Sequence, residues 1–507
     1  MGWSTQFKAA LNEARRQPLY YVETIPSGET DGWNFGKEYF LASHNGLGYG
    51  PGIVRGSVRV SGQRVTLQGW GSSLGGFSFD ITNNAAPAFV ANVKRGYGLR
   101  LRMGFPQWDP AAYQTIAVGS VRGLQWNGAS YTVTCGDALS LLQTRQDRDR
   151  TQVQLFSKRT QNTNSGTAYT AGAPTVEVSS TSGFEKVSSH DGVLRMVPDG
   201  AAEFYLTWSG TLGGPPRFQV AGTASFGTTA EDMTLGDKVF EVGYYAGHPL
   251  TVFKRILTST GAATNGSGDV GPETWGFGVA SRDVANGDLA QWEAKLAVSS
   301  GAYSLDFLSD DQVTNGLGWF ISKVQPLGIW PVMREGEYTM RAAQDLQDIL
   351  IETGITIGDN DIARLEGWEL WASEVQGQYG NFKLGTASGA GSGSSIDKIL
   401  GLPASQSFEG DASGTVYGNE SAIRIEVQDR IANWYQAVPE TVSLTLKGWG
   451  WAQLVPGDVV RLTTRLQGGH NEQGGTYNNK AFMVTKVDPF VGADTRVSLA
   501  TYNHEFF

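Results

Sequence analysis

Thr66-Leu67-Gln68-Gly69-Trp70-Gly71 recurs near the other end of the chain as Thr445-Leu446-Lys447-Gly448-Trp449-Gly450. The segments downstream of the two copies also correspond. Gly98 to Arg102, Thr115 to Val121 and Tyr131 to Thr134 come after the first. Gly457 to Leu462, Ala481 to Val487 and Arg496 to Ala500 come after the second. Reading each segment as a strand places four short strands in the same order twice, which predicts two related small β-modules far apart in one chain. Such a duplication is an architectural device and directs attention away from a simple enzyme.

The bulk composition agrees with a β-rich chain. At 507 residues several domains are expected, and 67 glycines with 11% aromatic and only 17% charged residues fit many short strands joined by tight turns. A hydrophobic fraction of 40% argues against disorder. The formal net charge of −10 disfavours a grip on nucleic acid through phosphate neutralisation. Cys135 is the one cysteine, so neither an intrachain disulfide nor a cysteine-built metal site is available, and its place in the alternating Tyr131-Thr-Val-Thr-Cys135 reads as core. Phe7, Ala10, Leu11 and Ala14 make one stripe of a short N-terminal helix over residues 1–17, ended by Pro18. Neither a signal peptide nor a run of about 18 apolar residues is present, so synthesis in a cytoplasm without membrane insertion is expected.

Residues 18–150 read as strands and turns, with Asn127-Gly128 as a hairpin signal and Gly136 to Leu142 as a short closing helix. Arg145 to Arg150 reads as a solvated connector, and residues 151–246 are again β-like. Over residues 247–430 the pattern turns mixed α/β. Helices are expected over His248 to Leu257, Asp288 to Val298 and Val313 to Val324, then a hairpin turning at Glu335-Gly336. Asp345 to Ile351 and Asp359 to Leu365 read as further short helices. Ile423 to Tyr435 fits helix or strand, and residues 431–507 form the second β-module.

No catalytic, cofactor-binding or metal-binding residues emerge. Gly71-Ser72-Ser73-Leu74-Gly75 matches a nucleophile elbow, but a helix must come after the serine and Phe77-Ser-Phe-Asp-Ile81 alternates as a strand. The histidines at 44, 190, 248, 470 and 504 show no ligand spacing. Asp359, Asp361 and Glu366 lack the glycine and glutamate of a calcium loop and read as a helix N-terminus. Tryptophans at 33, 70, 108, 126, 275, 368 and 371 are candidate sugar-stacking platforms, with Trp126 the most exposed in expectation.

His248-Pro-Leu-Thr-Val-Phe-Lys-Arg-Ile-Leu257, Trp275-Gly-Phe-Gly278, Pro326-Leu-Gly-Ile-Trp-Pro-Val332 and Leu454-Val-Pro-Gly-Asp-Val-Val460 resemble segments of the baseplate or tail-tip hub proteins of tailed bacteriophages and gene transfer agents. That resemblance implies two related β-barrels per chain with inserted domains, and a homotrimer whose six barrels match a sixfold tail tube. A threefold spike or fibre would sit on the other face. It further implies contacts with a distal tail protein or the tube, with a tape measure protein and with the central spike or fibre, and a lumen through which DNA only passes. Asp306, Asp310, Asp311, Glu335, Glu337, Asp345 and Asp348 would then line that lumen, in a virion protein without cofactors. The rival readings are a carbohydrate-binding or carbohydrate-active β-protein, motivated by the tryptophans, and an outer-membrane barrel, disfavoured by the missing signal peptide.

Overall fold

Ser4 starts the first helix because its hydroxyl accepts the Phe7 amide at 3.2 Å, satisfying one of the donors a helix start leaves open. The helix α1, Thr5–Leu11, buries Phe7, Ala10 and Leu11 as the stripe predicts. The computed structural model describes residues 2–13, 17–24, 40–42, 52–67, 69–106, 108–141, 145–146, 152–153, 162–181, 184, 192–226, 228–258, 279–296, 303–309, 316–370, 379–384, 408–412, 416–418, 420–436, 438–465 and 477–503. Ala14 and the Arg145 to Arg150 connector beyond its first two residues lie outside them. Among the described residues the fold is mainly β.

Strands β1 (Leu19–Thr24), β2 (Phe77–Ile81), β3 (Gly98–Gly104), β4 (Gln114–Trp126) and β5 (Tyr131–Cys135) belong to one sheet. Its order is Phe40–Ala42, β1, β3, β4, β5, β2, Arg59–Val60. The period of two is plain in β2, where Phe77, Phe79 and Ile81 are buried and Ser78 and Asp80 are half-buried. Those three pack with Val22, Phe89, Leu101 and Val133. Asn127 turns the β4–β5 hairpin by accepting the amides of Ala129 and Ser130 at 3.1 and 2.9 Å, with Gly128 at a φ of 97°. The helix expected over Gly136 to Leu142 is a single 3-10 turn, Ala138–Leu141. Cys135 is buried, and burial pushes its thiol pKa up. A thiol reagent is therefore expected to leave the native protein untouched and to take up one equivalent on unfolding. Rapid labelling of the folded chain would contradict this placement.

A second sheet holds Thr175–Glu177, Gly192–Val197, Phe204–Leu212, Arg217–Val220 and Lys238–Gly247, around Leu194, Met196, Phe204, Leu206 and Phe218. Its last strand pairs onward with Leu305–Ser309, which ties this sheet to the helical middle. There lie α2 (Pro249–Thr258), α3 (Asn286–Lys295) and α4 (Gly316–Val324), and after them the hairpin β6 (Ile329–Arg334) and β7 (Glu337–Ala342). The turn between β6 and β7 places Glu335 and Gly336 at φ of 54° and 83°.

Two expected helices are not formed. Over Asp345 to Ile351 side chains take the hydrogen bonds a helix would need. The Gln344 amide group accepts from the Ile351 amide at 2.7 Å and donates to its carbonyl at 3.1 Å. The Asp345 carboxylate meanwhile accepts the Gln347 amide at 2.9 Å. Over Asp359 to Leu365 a turn leads into strand β8 (Ile362–Leu370). The Asp361 carboxylate closes that turn on the Gly358 amide at 2.8 Å, Asp359 accepts the Arg465 amide at 3.1 Å and Glu366 lies in β8, so none of the three caps a helix N-terminus. The segment that fitted either state is helix α5, Glu420–Gln436.

The last sheet contains β9 (Val438–Leu446), β10 (Val459–Thr464), β11 (Tyr477–Val491) and β12 (Asp494–Asn503), in the order Thr356–Gly358, β10, β11, β12, β9, β8. The order β3-β4-β5-β2 in the first sheet thus recurs as β10-β11-β12-β9 in the last. In both, three strands form a meander and the preceding strand returns to pair with its final member. The hexapeptide that signalled the repeat is not part of this equivalence. Its second copy ends β9, while its first spans the loop of a small hairpin whose strands pair Arg64 with Ser73 and Val65 with Ser72. Both copies share turn chemistry: Gly69 and Gly448 hold φ of 72° and 87°, each before a buried tryptophan.

Candidate functional site at the joint between the sheets

The hairpin β6–β7 is buried over nearly its whole length and touches both terminal sheets. Along β6, the Gln63 side chain mimics a strand partner. It donates to the Met333 carbonyl at 2.6 Å and accepts the Met333 amide at 2.8 Å. Gln63 and Arg64 meanwhile pair with Val487 and Lys486 of β11, so this short strand joins the hairpin β6–β7 to the last sheet. Trp70 stacks on Trp330 at 5.4 Å with 4° between the planes, and Trp434 of α5 meets it in a T-shaped contact at 6.2 Å. At the hairpin tip, Glu335 accepts the Trp3 amide at 2.8 Å and pairs with Lys8 at 2.5 Å. That contact fixes α1 over the joint.

Toward the last sheet the joint is ionic. Arg341 is buried and reaches Asp288 of α3 at 2.5 Å and Asp458, just before β10, at 3.1 Å. Arg334 adds a 3.1 Å contact to Asp288, and the Thr339 hydroxyl donates to the same carboxylate at 2.6 Å. Burial opposes the charge on Asp288, but the neighbouring Arg341 guanidinium and its hydrogen bonds outweigh it and hold the carboxyl below its usual range. Burial likewise opposes Arg341, and the two carboxylates raise its pKa regardless. Gly457, at a φ of 103°, lets the chain pass: a Cβ there would lie 2.7 Å from the Arg341 Cβ and 2.9 Å from the Trp330 ring. The Trp330 indole donates to the neighbouring Pro456 carbonyl at 3.3 Å. The arrangement ties the hairpin to α3 and to the chain entering β10, while at the hairpin tip Gly336 packs against Thr115 of the first sheet.

The sequence-predicted candidates fall elsewhere. Ser72–Ser73 form a two-residue strand with no helix directly after it, so the strand-turn-helix of a nucleophile elbow is not built there. His248 is half-buried, accepts the Leu250 amide on Nδ1 at 3.2 Å and donates from Nε2 to the Leu296 carbonyl at 3.1 Å. It is a cap at the start of α2, and burial pushes its pKa down. His44, His190, His470 and His504 lie outside the described residues, as do Trp33, Trp275 and Trp371. Trp108 packs against Phe105 at 5.3 Å, and Trp368 donates to the buried Glu440 at 2.8 Å. Trp126 is 47% exposed and leans on Tyr131 at 5.0 Å.

The described acids among those expected to line a lumen each have their own setting. Asp310 and Asp311 lie outside the described residues. Asp306 accepts the Tyr244 hydroxyl at 2.8 Å, Glu335 holds α1, Glu337 is buried, and Asp345 accepts from Asn433 at 2.8 Å and from Tyr502. Asp348 is left exposed, in a groove of about 470 Å³ with Asp429, Glu426 and Lys295. Among the described residues no group of three or more His, Cys, Asp or Glu side chains is placed to hold a metal ion. No described helix is long and apolar enough to cross a membrane.

Comparison with solved structures finds several likenesses. The chain is similar to a chain of a solved structure titled "Virion of native gene transfer agent (GTA) particle". The identity is 13%, the TM-score is 0.21, and the match covers 47% of this chain and 84% of that one. No family model and no curated protein matches the chain.

Proposed function

We propose that this chain is a structural virion protein, a baseplate or tail-tip hub of the kind found in tailed phages and gene transfer agents, without catalytic activity of its own. The observation that carries the reading is the strand order β3-β4-β5-β2 repeated as β10-β11-β12-β9 within one chain. On this reading each sheet belongs to a small hub barrel, and three copies bring six such modules into a ring. Sixfold matching to a tail tube and threefold matching to a spike or fibre then arise from one assembly. The partners would be the tube or distal tail protein, the tape measure protein, and the spike or fibre. The joint at Arg341 and Trp330 supports this use, because modules that share a ring must keep a fixed mutual orientation. The net charge of −10 suits a lumen that DNA crosses without being held. Light scattering and negative-stain imaging of the purified chain are expected to show a threefold ring with a central hole. A monomer at micromolar concentration, with no such ring in intact virions, overturns the proposal.

Trp126 favours a second reading, in which the chain contacts glycans of a host surface. An exposed indole beside Tyr131 at a hairpin tip offers a flat apolar face for a sugar ring. Binding of the isolated chain to a glycan array, lost on Trp126→Ala, would support it. Absence of glycan binding by the unmodified chain would remove it.

A further inference from the structure

Between the two sheets lies an open groove of about 590 Å³. Its floor is apolar, formed by Tyr20, Val60, Trp449 and Phe490, and Arg55 and Arg59 stand at its rim. The Trp449 ring is fixed by donation from its indole to the Gly492 carbonyl at 3.1 Å. Phe490 sits in the left-handed region at a φ of 59°, where the β11–β12 register breaks between Asp488 and Val491. That break brings its ring edge-on to Trp449 at 5.4 Å. A non-glycine residue held in this conformation costs free energy, so the packing of half-buried Phe490 on the edge of the buried Trp449 is a built feature rather than a by-product of the ladder. Arg55 and Arg59 are exposed, and neither has a hydrogen-bond or ion-pair partner among the described residues. Among the described residues that line it, none carries a carboxylate. The groove therefore matches a short segment that combines aromatic side chains with an acid.

The chain contains such a segment in His504-Glu505-Phe506-Phe507, directly after β12. It cannot reach the groove of its own copy. Strand β12 starts at Asp494, beside Gly492 of the groove, and runs ten residues away from it. At about 3.3 Å per residue that places Asn503 roughly 30 Å off. The four residues beyond it span at most about 14 Å. We propose that the groove takes the Glu505-Phe506-Phe507 segment of a second copy. The phenyl rings would lie on Trp449 and Phe490, and the Glu505 carboxylate between Arg55 and Arg59. Such a contact is head-to-tail, the type that closes into a ring when the rotation per copy allows it. It rests on the reading that copies of this chain assemble together, and it names the surface that does so.

The experiment compares self-association of the full chain, a chain ending at Asn503, and the full chain carrying Arg55→Glu with Arg59→Glu, by light scattering over a concentration series. In parallel, a labelled peptide spanning Asn503 to Phe507 is titrated into the chain ending at Asn503. Truncation and charge reversal are each expected to weaken association by at least about tenfold, near 1.4 kcal/mol. The peptide should bind the truncated chain, and lose binding when its two phenylalanines become alanine. Should the truncated chain assemble as tightly as the full one, the groove proposal is overturned while the ring reading stands. Should the full chain remain monomeric throughout, both fall, even if the peptide binds. The peptide arm needs no substituted groove, so misfolding of the arginine variant cannot mask the result.

Discussion

Arg341→Met is expected to destabilise the protein by about 3–5 kcal/mol, the cost of removing one partner from a buried ion pair and leaving the other charged. Two carboxylates lose their counter-charge at once, because Asp288 and Asp458 converge on the same guanidinium. Arg334 cannot substitute: it is 3.8 Å from Asp458 and a third exposed. The triple replacement Arg341→Met, Asp288→Asn and Asp458→Asn should recover part of the loss, since no uncompensated charge then remains buried. Chemical denaturation of the joint region, monitored by tryptophan fluorescence, measures both. A triple variant no better than the single one would show that the lost contacts of the long side chain dominate, not the stranded charges. Acid provides a second probe of the same contact. The Asp288 carboxyl titrates below its ordinary value of 3.8 in the folded protein. Its contribution is therefore complete above about pH 4 and lost as the pH falls through the lower folded value. Arg341→Met should abolish this part of the acid sensitivity, and an unchanged acid transition would argue against the clasp.

How much the sequence made legible depends on how local each signal is. Segments such as Phe77 to Ile81 and Tyr131 to Cys135 alternate with period two, and they are strands as read. The return of β2 to the edge of β5 is a pairing across some fifty residues of chain, and no local pattern announces it. The hexapeptide drew attention to two sheets that share a strand order, but it is not part of that likeness, because Gly-Trp-Gly encodes a turn that two different loops use. The failed helices over 345–351 and 359–365 share a cause. Gln344, Asp345, Asp359 and Asp361 spend their side chains on nearby backbone or on Thr464, and periodicity of apolar residues does not weigh that competition. Arg341 was invisible for another reason. Strand β7 is buried on both faces, so Glu337-Tyr-Thr-Met-Arg-Ala342 looks amphipathic while its arginine lies inside.

Trp70→Ala should cost about 3–5 kcal/mol, the range for deleting a large aromatic from a closed core. Its ring is fully buried between Trp330 of the hairpin and Trp434 of α5, so its removal leaves a void bounded by three separate parts of the chain. Collapse into that void is opposed on each side. Trp330 is held by Pro456, Trp434 donates to the Gln344 carbonyl at 2.8 Å, and Gln325 holds the Gly69 carbonyl at 2.5 Å. The backbone adds little relief, because alanine at a φ of 56° is as strained as tryptophan there. Beyond lower stability, the variant should lose hydrogen-exchange protection along β6 and β7 first, since those strands lean on the missing ring. Trp449→Ala provides the contrast. That ring is 8% exposed and borders the open groove, where solvent can enter the space it leaves. A smaller cost is expected, with no change in the hairpin. If the two replacements cost the same, or if Trp70→Ala costs under about 1 kcal/mol, the two tryptophans occupy more similar settings than this fold gives them, and the stack on Trp330 is not what anchors the Gln63–Ser73 hairpin to β6.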